Sequence, residues 1–161
     1  TFALIQSLQN DPHEDVRWFA AKSLSLIGED TKDLVGDLLE NMVPALIQVL
    51  ENDQYAEIRF SVVRLLGNMG KNAKDAVPAL IQVLQHDQDS EESEYIHANA
   101  AGALVKIGTA EAIKAAESTV PALIQALQHE YEPFRLSAAD LLKEIGTPEA
   151  LKGLEGFNYK R

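Results

Sequence analysis

The hexapeptide VPALIQ occurs three times, at residues 43–48, 77–82 and 120–125, and a looser copy, TFALIQ, occupies residues 1–6. A second recurring segment follows each copy and ends in glycine: VRWFAAKSLSLIG (16–28), IRFSVVRLLGNMG (58–70), IHANAAGALVKIG (96–108) and FRLSAADLLKEIG (134–146). The Arg or His at its second position, Arg17, Arg59, His97 or Arg135, stands 11 residues ahead of Gly28, Gly70, Gly108 or Gly146. Four copies in one register mean four equivalent structural units. Units recurring every 34 to 43 residues are too small to bury an apolar face alone, so they must stack and share one.

Composition narrows the function. With 161 residues, 46% of them hydrophobic, the chain can bury a core, and four units exceed the roughly three that such arrays need to stand alone. A net charge of −11 repels phosphate backbones, which argues against nucleic-acid binding and for a basic protein partner. A monomer is the expected state. No cysteine is present, so disulfides, thiolate nucleophiles and Cys-ligated zinc are out of reach. No apolar stretch nears the 18 or so residues of a membrane span and no signal peptide leads the chain. A cytoplasmic location is the expectation, while the absence of cysteine suits any compartment. Thr1 is not a natural start, and the chain is expected to be a piece of a longer one.

Each unit reads as two helices. In the first, Ala45, Leu46, Val49 and Leu50 recur at i, i+1, i+4 and i+5, a stripe about 100° wide that Ala79, Leu80, Val83, Leu84 and Ala122, Leu123, Ala126, Leu127 repeat. A polar turn follows, QNDPHED, ENDQYAE, QHDQDSEESE or QHEYE, rich in residues that reverse the chain and cap the next helix. In the second helix the apolar columns are Val16, Ala20, Leu24, Ile27; Ile58, Val62, Leu66, Met69; Ile96, Ala100, Leu104, Ile107; and Phe134, Ala138, Leu142, Ile145. Their spacings of 4, 4 and 3 are helical. The pairs Ala20/Ala21, Ala100/Ala101 and Ala138/Ala139 keep this helix slim where a neighbour approaches, and Gly28, Gly70, Gly108 and Gly146 are placed to end it as left-handed C-caps.

Pro44, Pro78 and Pro121 either open their helices or interrupt helices that begin earlier, at Asp30, Lys71 or Thr109. Leu34, Leu38 and Met42, and the helix formers of TAEAIKAAE, favour early starts in repeats two and four, with a bend or break near each proline. The third turn carries an insertion of about four residues and is acidic. The expected organisation is one domain with repeats at about 1–28, 29–70, 71–108 and 109–146. A C-terminal cap at 147–161, opened by Thr147 and Pro148, is expected to cover Leu141 and Leu142; the other reading of that tail is an arbitrary end.

The pattern VPALIQ-x-L, an Asp-containing turn, then V/I-R-x-x-A-A-x-x-L-x-x-I-G resembles the HEAT repeat, in the short form seen in phycobilisome lyases and in many bacterial scaffold and receptor proteins. The resemblance covers residues 1–146. It implies an all-α fold, a right-handed, armadillo-like α-solenoid of about four HEAT-like hairpins with first helices convex and second helices concave. It also implies a structural polar ladder between the turn Asp and the Arg of neighbouring repeats. The columns would be Asp11, Asp53, Asp87 and Glu130 against Arg17, Arg59, His97 and Arg135, with His97 departing from the pattern.

No catalytic, cofactor or metal site is expected. His86 and His129 share a turn column with Asn10 and Asn52, and helices pack about 8–10 Å apart, too far for two such rings to share a zinc. His13-Glu14 and His129-Glu130 resemble the His-Glu pairs of the HEAT-type deoxyhypusine hydroxylases. In that family, though, the pairs directly follow the repeat Arg, where Trp18, Phe60, Ala98 and Leu136 stand here. The acidic run Asp87, Asp89, Glu91, Glu92, Glu94 lacks the sixth-position Gly and twelfth-position Glu of an EF-hand, and reads as a solvated loop.

The positions free of packing demands lie on the second helices. Phe19, Lys22 and Leu26 correspond to Ser61, Arg64, Asn68, to Asn99, Gly102, Lys106 and to Ser137, Asp140, Glu144, at i, i+3, i+7 on one face. The apolar pair Phe19 and Leu26 marks either a binding patch or an edge that meets an upstream repeat. The expected function is a non-enzymatic protein-interaction scaffold using Phe19, Lys22, Leu26, Arg64, Asn68, Asn99, Lys106, Asp140 and Glu144. The alternative is a phycobilin lyase subunit or chromophore chaperone. That function needs an open apolar groove with Trp18, Phe60 or Tyr95 stacking on a tetrapyrrole; inter-repeat core is the other reading of those rings.

Overall fold

A computed structural model describes residues 2–29, 36–85 and 91–158, and within them the side chains of all but 27–29, 36–40 and 91–94. Every regular element among the described residues is helical. In chain order they are α1 (Phe2–Asn10), α2 (Glu14–Glu29), α3 (Gly36–Asn52), α4 (Ala56–Met69), a 3-10 segment (Gly70–Ala76), α5 (Val77–Gln85), α6 (Glu91–Ile107), α7 (Ala110–Glu117), α8 (Val120–Ala126), α9 (Glu132–Ile145) and α10 (Pro148–Gly153). They form two layers. α1, α3, α5 and α7 lie side by side in one and α2, α4, α6 and α9 in the other, joined by the hairpins α1/α2, α3/α4, α5/α6 and α8/α9. The result is an α-solenoid.

The apolar columns build it. Leu46, Val62, Leu66, Leu80, Ala100, Leu104, Ile107, Ala138 and Leu142 are wholly buried, and each leucine so placed contributes about 1.5–3 kcal/mol. The interior forms two clusters, one from α1 to α7 and one from α6 to α10, and Leu84, Val105 and Ile145 pack against both. Thr109 and Thr147 cap α7 and α10 by accepting the N–H of Ala112 and Ala150, each at 3.2 Å. Ala150 of α10 packs in the cluster that holds Leu141 and Leu142, both buried.

Several expectations change. Val16 is 39% exposed while its counterparts Ile58, Ile96 and Phe134 are buried; Phe134 is covered by Tyr95 of the preceding repeat, and no repeat precedes Val16 among the described residues. Gly28 is not a C-cap, because α2 runs through it to Glu29; a glycine inside a helix costs about 1 kcal/mol and does not by itself end it. Gly108 and Gly146 do take left-handed φ values of 71° and 67°, each donating its N–H to the carbonyl four residues back. Gly70 also ends its helix, as the C-cap of α4 at φ 54° and ψ −130° with its N–H donated to the Gly67 carbonyl, and it leads into the 3-10 segment, so repeat three also starts early. α3 runs unbroken through Pro44, whereas Pro78 follows a change from 3-10 to α and Pro121 follows the break at residues 118–119. Finally, Ala122 is exposed where Ala45 and Ala79 are buried. α8 packs on α9 and α10, while α5 packs on α6 and α7, and a cleft opens between them. Asp30, Leu34, His86, Asp87 and Asp89 lie outside the described residues, as do the side chains of Ile27, Leu38, Glu91, Glu92 and Glu94.

Candidate functional site

The turns fix where the second helices begin. Asp11 and Asp53 carboxylates accept the main-chain N–H of His13 and Tyr55, each at 3.0 Å. Arg17 Nη1 donates to the Asp11 carbonyl at 2.9 Å, Arg59 Nη1 to the Asp53 carbonyl at 2.9 Å, and Arg135 Nη1 to the carbonyls of His129 and Glu130 at 2.7 and 2.8 Å. Each of these arginines thus closes its own turn. Arg17 also crosses to the next repeat, donating from Nε to Asp53 Oδ2 at 2.7 Å and from Nη2 to Oδ1 at 3.3 Å. Both side chains are largely covered, and the hydrogen bond to Asp53 raises the Arg17 guanidinium above its ordinary pKa.

In the fourth turn the acceptor is His129, whose Nδ1 takes the Tyr131 N–H at 3.0 Å. His129 stands six residues ahead of Arg135, as Asp11 and Asp53 do ahead of Arg17 and Arg59, so Glu130 is not their counterpart. Nor is His129 a solvated turn residue: it is half-buried, edge-on to Phe134 with ring centroids 5.0 Å apart. Among the described residues no group of three His, Cys, Asp or Glu could hold a metal ion.

The face formed by α2, α4 and α6 carries a groove of about 540 Å³. Trp18, Phe60 and Tyr95, all half-buried, line it with buried Ile96, and exposed Lys22, Arg64 and Glu57 stand at its rim. Trp18 and Phe60 hold the same repeat position, and Lys22 and Arg64 follow each by four residues, one helical turn on. Lys22 Nζ lies 4.8 Å from the Trp18 ring centroid and Arg64 Cζ 6.0 Å from that of Phe60, within the range where a cation is held by a ring face. Among the described residues neither cation is ion-paired. Tyr95 arrives from another row, tilted against Phe134 of the following repeat with ring centroids 4.5 Å apart. A second cavity, of about 640 Å³, is the cleft between α5 and α8, which runs in to His97 and Ala98 where the first two repeats carry Arg and an aromatic ring.

Of the residues singled out from the sequence, Lys22 and Arg64 enter the groove, and Phe19, 60% exposed, packs edge-on against Trp18 at 4.9 Å. Asn99 is half-buried and donates from Nδ2 to the Tyr95 carbonyl at 2.8 Å. Leu26, Lys106, Asp140 and Glu144 are exposed and Asn68 half-buried, all outside the groove's lining. Glu57, Ser61 and Ile96 were not foreseen as lining residues. The usable signal was the aromatic–cation pair recurring at i, i+4 in repeats one and two.

Residues 43–118 match the family model for HEAT repeats. The fold is similar to three crystal structures of engineered proteins from the Northeast Structural Genomics Consortium. Two match at 24% identity with TM-scores of 0.61 and 0.62, over 95% of this chain and 67% and 66% of theirs. The third matches at 25% identity and a TM-score of 0.60, with 95% of this chain spanning 39% of that one. No curated protein sequence matches the chain significantly. HEAT repeats generally serve as protein-interaction scaffolds and are typically non-catalytic, and no enzyme family is identified. Among the described residues no helix is long and apolar enough to cross a membrane. Residues 43–118 are thus similar to HEAT repeats, and the helical pairs on either side of them carry the same recurring sequence.

Proposed function

We propose that the chain is a non-enzymatic recognition segment that binds another protein across its second-helix face, with the groove of Trp18, Phe60 and Tyr95 as its anchor. One observation carries this: three half-buried rings, Trp18 and Tyr95 backed by the core, line a single open groove. Binding energy at protein interfaces concentrates on a few Trp, Tyr and Arg side chains in pockets, and this groove offers one of each. Phe19, Leu26, Asn68, Asn99, Lys106, Asp140 and Glu144 extend the same face on either side. The test compares proteins captured by the wild-type chain with those captured by the Trp18→Ala/Phe60→Ala variant, after circular dichroism shows both equally helical. A partner held by the wild type and lost by the variant is the expected result; equal capture by both overturns the reading.

The same groove supports a second reading, a chromophore chaperone of the phycobilin lyase kind, because all three rings proposed to stack on a tetrapyrrole line one cavity. Incubation with a bilin tests it. An unchanged visible spectrum removes it.

A further inference from the structure

We infer that the groove takes an extended, acidic segment of a partner protein, whose carboxylates meet Lys22 and Arg64 while an apolar side chain between them enters the ring cluster. This rests on the recognition reading above and names the chemistry of the partner. In a chain with a net charge of −11, most basic side chains that meet carboxylates or carbonyls do so in the turns, as Arg17, Arg59 and Arg135 do. Lys22 and Arg64 are different: exposed, without an ion pair among the described residues, and each resting on a ring at the mouth of the groove.

Net charge alone points to a basic partner. Charges farther than about 8 Å are screened at physiological salt, however, so a bound segment responds to the groove's own rim. Glu57 is also on that rim, seven residues before Arg64 and so about 10 Å away along α4.

Geometry adds a spacing. Lys22 and Arg64 occupy equivalent positions on neighbouring helices, which pack about 8–10 Å apart. A polyproline II strand has three residues per turn and rises about 3.1 Å per residue, so its side chains at i and i+3 point the same way about 9 Å apart. Acidic residues three apart in an extended segment therefore match the two cations.

Trp18 is the only tryptophan, and its emission reports directly on the groove. The probes are two proline-rich synthetic peptides of identical length, one with glutamates at i and i+3 flanking a leucine, the other with lysines in place of the glutamates. The glutamate peptide is expected to shift the emission saturably, to bind about tenfold more weakly at high than at low salt, and to outcompete the lysine peptide. Lys22→Glu/Arg64→Glu, at exposed positions where folding is insensitive, should abolish that response and reverse the preference. The inference is overturned if the lysine peptide binds the wild type as tightly, if the glutamate peptide gives no saturable shift, or if the charge-reversed variant keeps it. The capture experiment with Trp18→Ala/Phe60→Ala decides the recognition reading separately, since a partner lost there without any acidic preference marks a groove of other specificity.

Discussion

Gly67 of α4 faces Ala103 of α6 so closely that a Cβ on Gly67 would stand 3.1 Å from both the Cα and the Cβ of Ala103. Two second helices meet here with only the Ala103 methyl between them. Gly67→Ala gains up to about 1 kcal/mol of helix propensity. It also overpacks the seam, which typically costs about 1–3 kcal/mol. A net loss of about 1 kcal/mol is expected in denaturant unfolding. Gly102→Ala is the control: its nearest contact would be Leu141 Cδ1 at 4.0 Å, so that variant should be neutral or more stable.

The Arg17–Asp53 pair ties the first two repeats, and both side chains are mostly out of solvent. Asp53→Ala removes two charge-assisted hydrogen bonds from Arg17 and one acceptor for the Tyr55 N–H, and should cost about 2 kcal/mol. Arg17→Ala should cost a similar amount, and a double-mutant cycle should show the two losses to be strongly non-additive. Because Asp53 raises the Arg17 pKa, the guanidinium stays charged as pH rises through the ordinary alkaline range, so unfolding scans should show no loss from that group there.

Thr109 and Thr147 supply the same cap at the same point of successive repeats, each accepting an alanine N–H. Thr109→Ala and Thr147→Ala should each cost about 1 kcal/mol in chemical denaturation, with serine restoring most of it.

At Gly153 a Cβ would fall 2.5 Å from Ile124 Cγ1, inside any tolerable contact. That carbon belongs to a half-buried β-branched side chain whose χ1 is restricted in a helix. Gly153→Ala is therefore expected to lift α10 off α8, and limited proteolysis should cut residues 148–158 faster than in the wild type while the rest of the chain survives.

Repetition made most of the fold readable. The columns through Val62, Leu66, Ala100, Leu104, Ala138 and Leu142 are the core because packing demands recur with the helix period. Departures came where the environment, not the local pattern, decides. Val16 shares its column with Ile58 and yet is exposed, since burial there depends on a preceding neighbour. Gly28 looks like Gly146 in sequence and is helical, because a glycine permits a left-handed stop without imposing one. The face proposed for recognition was legible at Lys22 and Arg64. The groove was harder: Tyr95 belongs to a different row from Trp18 and Phe60, so only stacking of α6 on α4 brings the three rings to one cavity.

Among the described residues, Leu84 of α5, Val105 of α6 and Ile145 of α9 are the side chains that pack against both apolar clusters. The apolar interior is thus thinnest in shared contacts where the two clusters adjoin along α6, a crease next to the cleft at α5 and α8. Under tension applied along its length, the array should yield first at that crease, with each side keeping its own secondary structure.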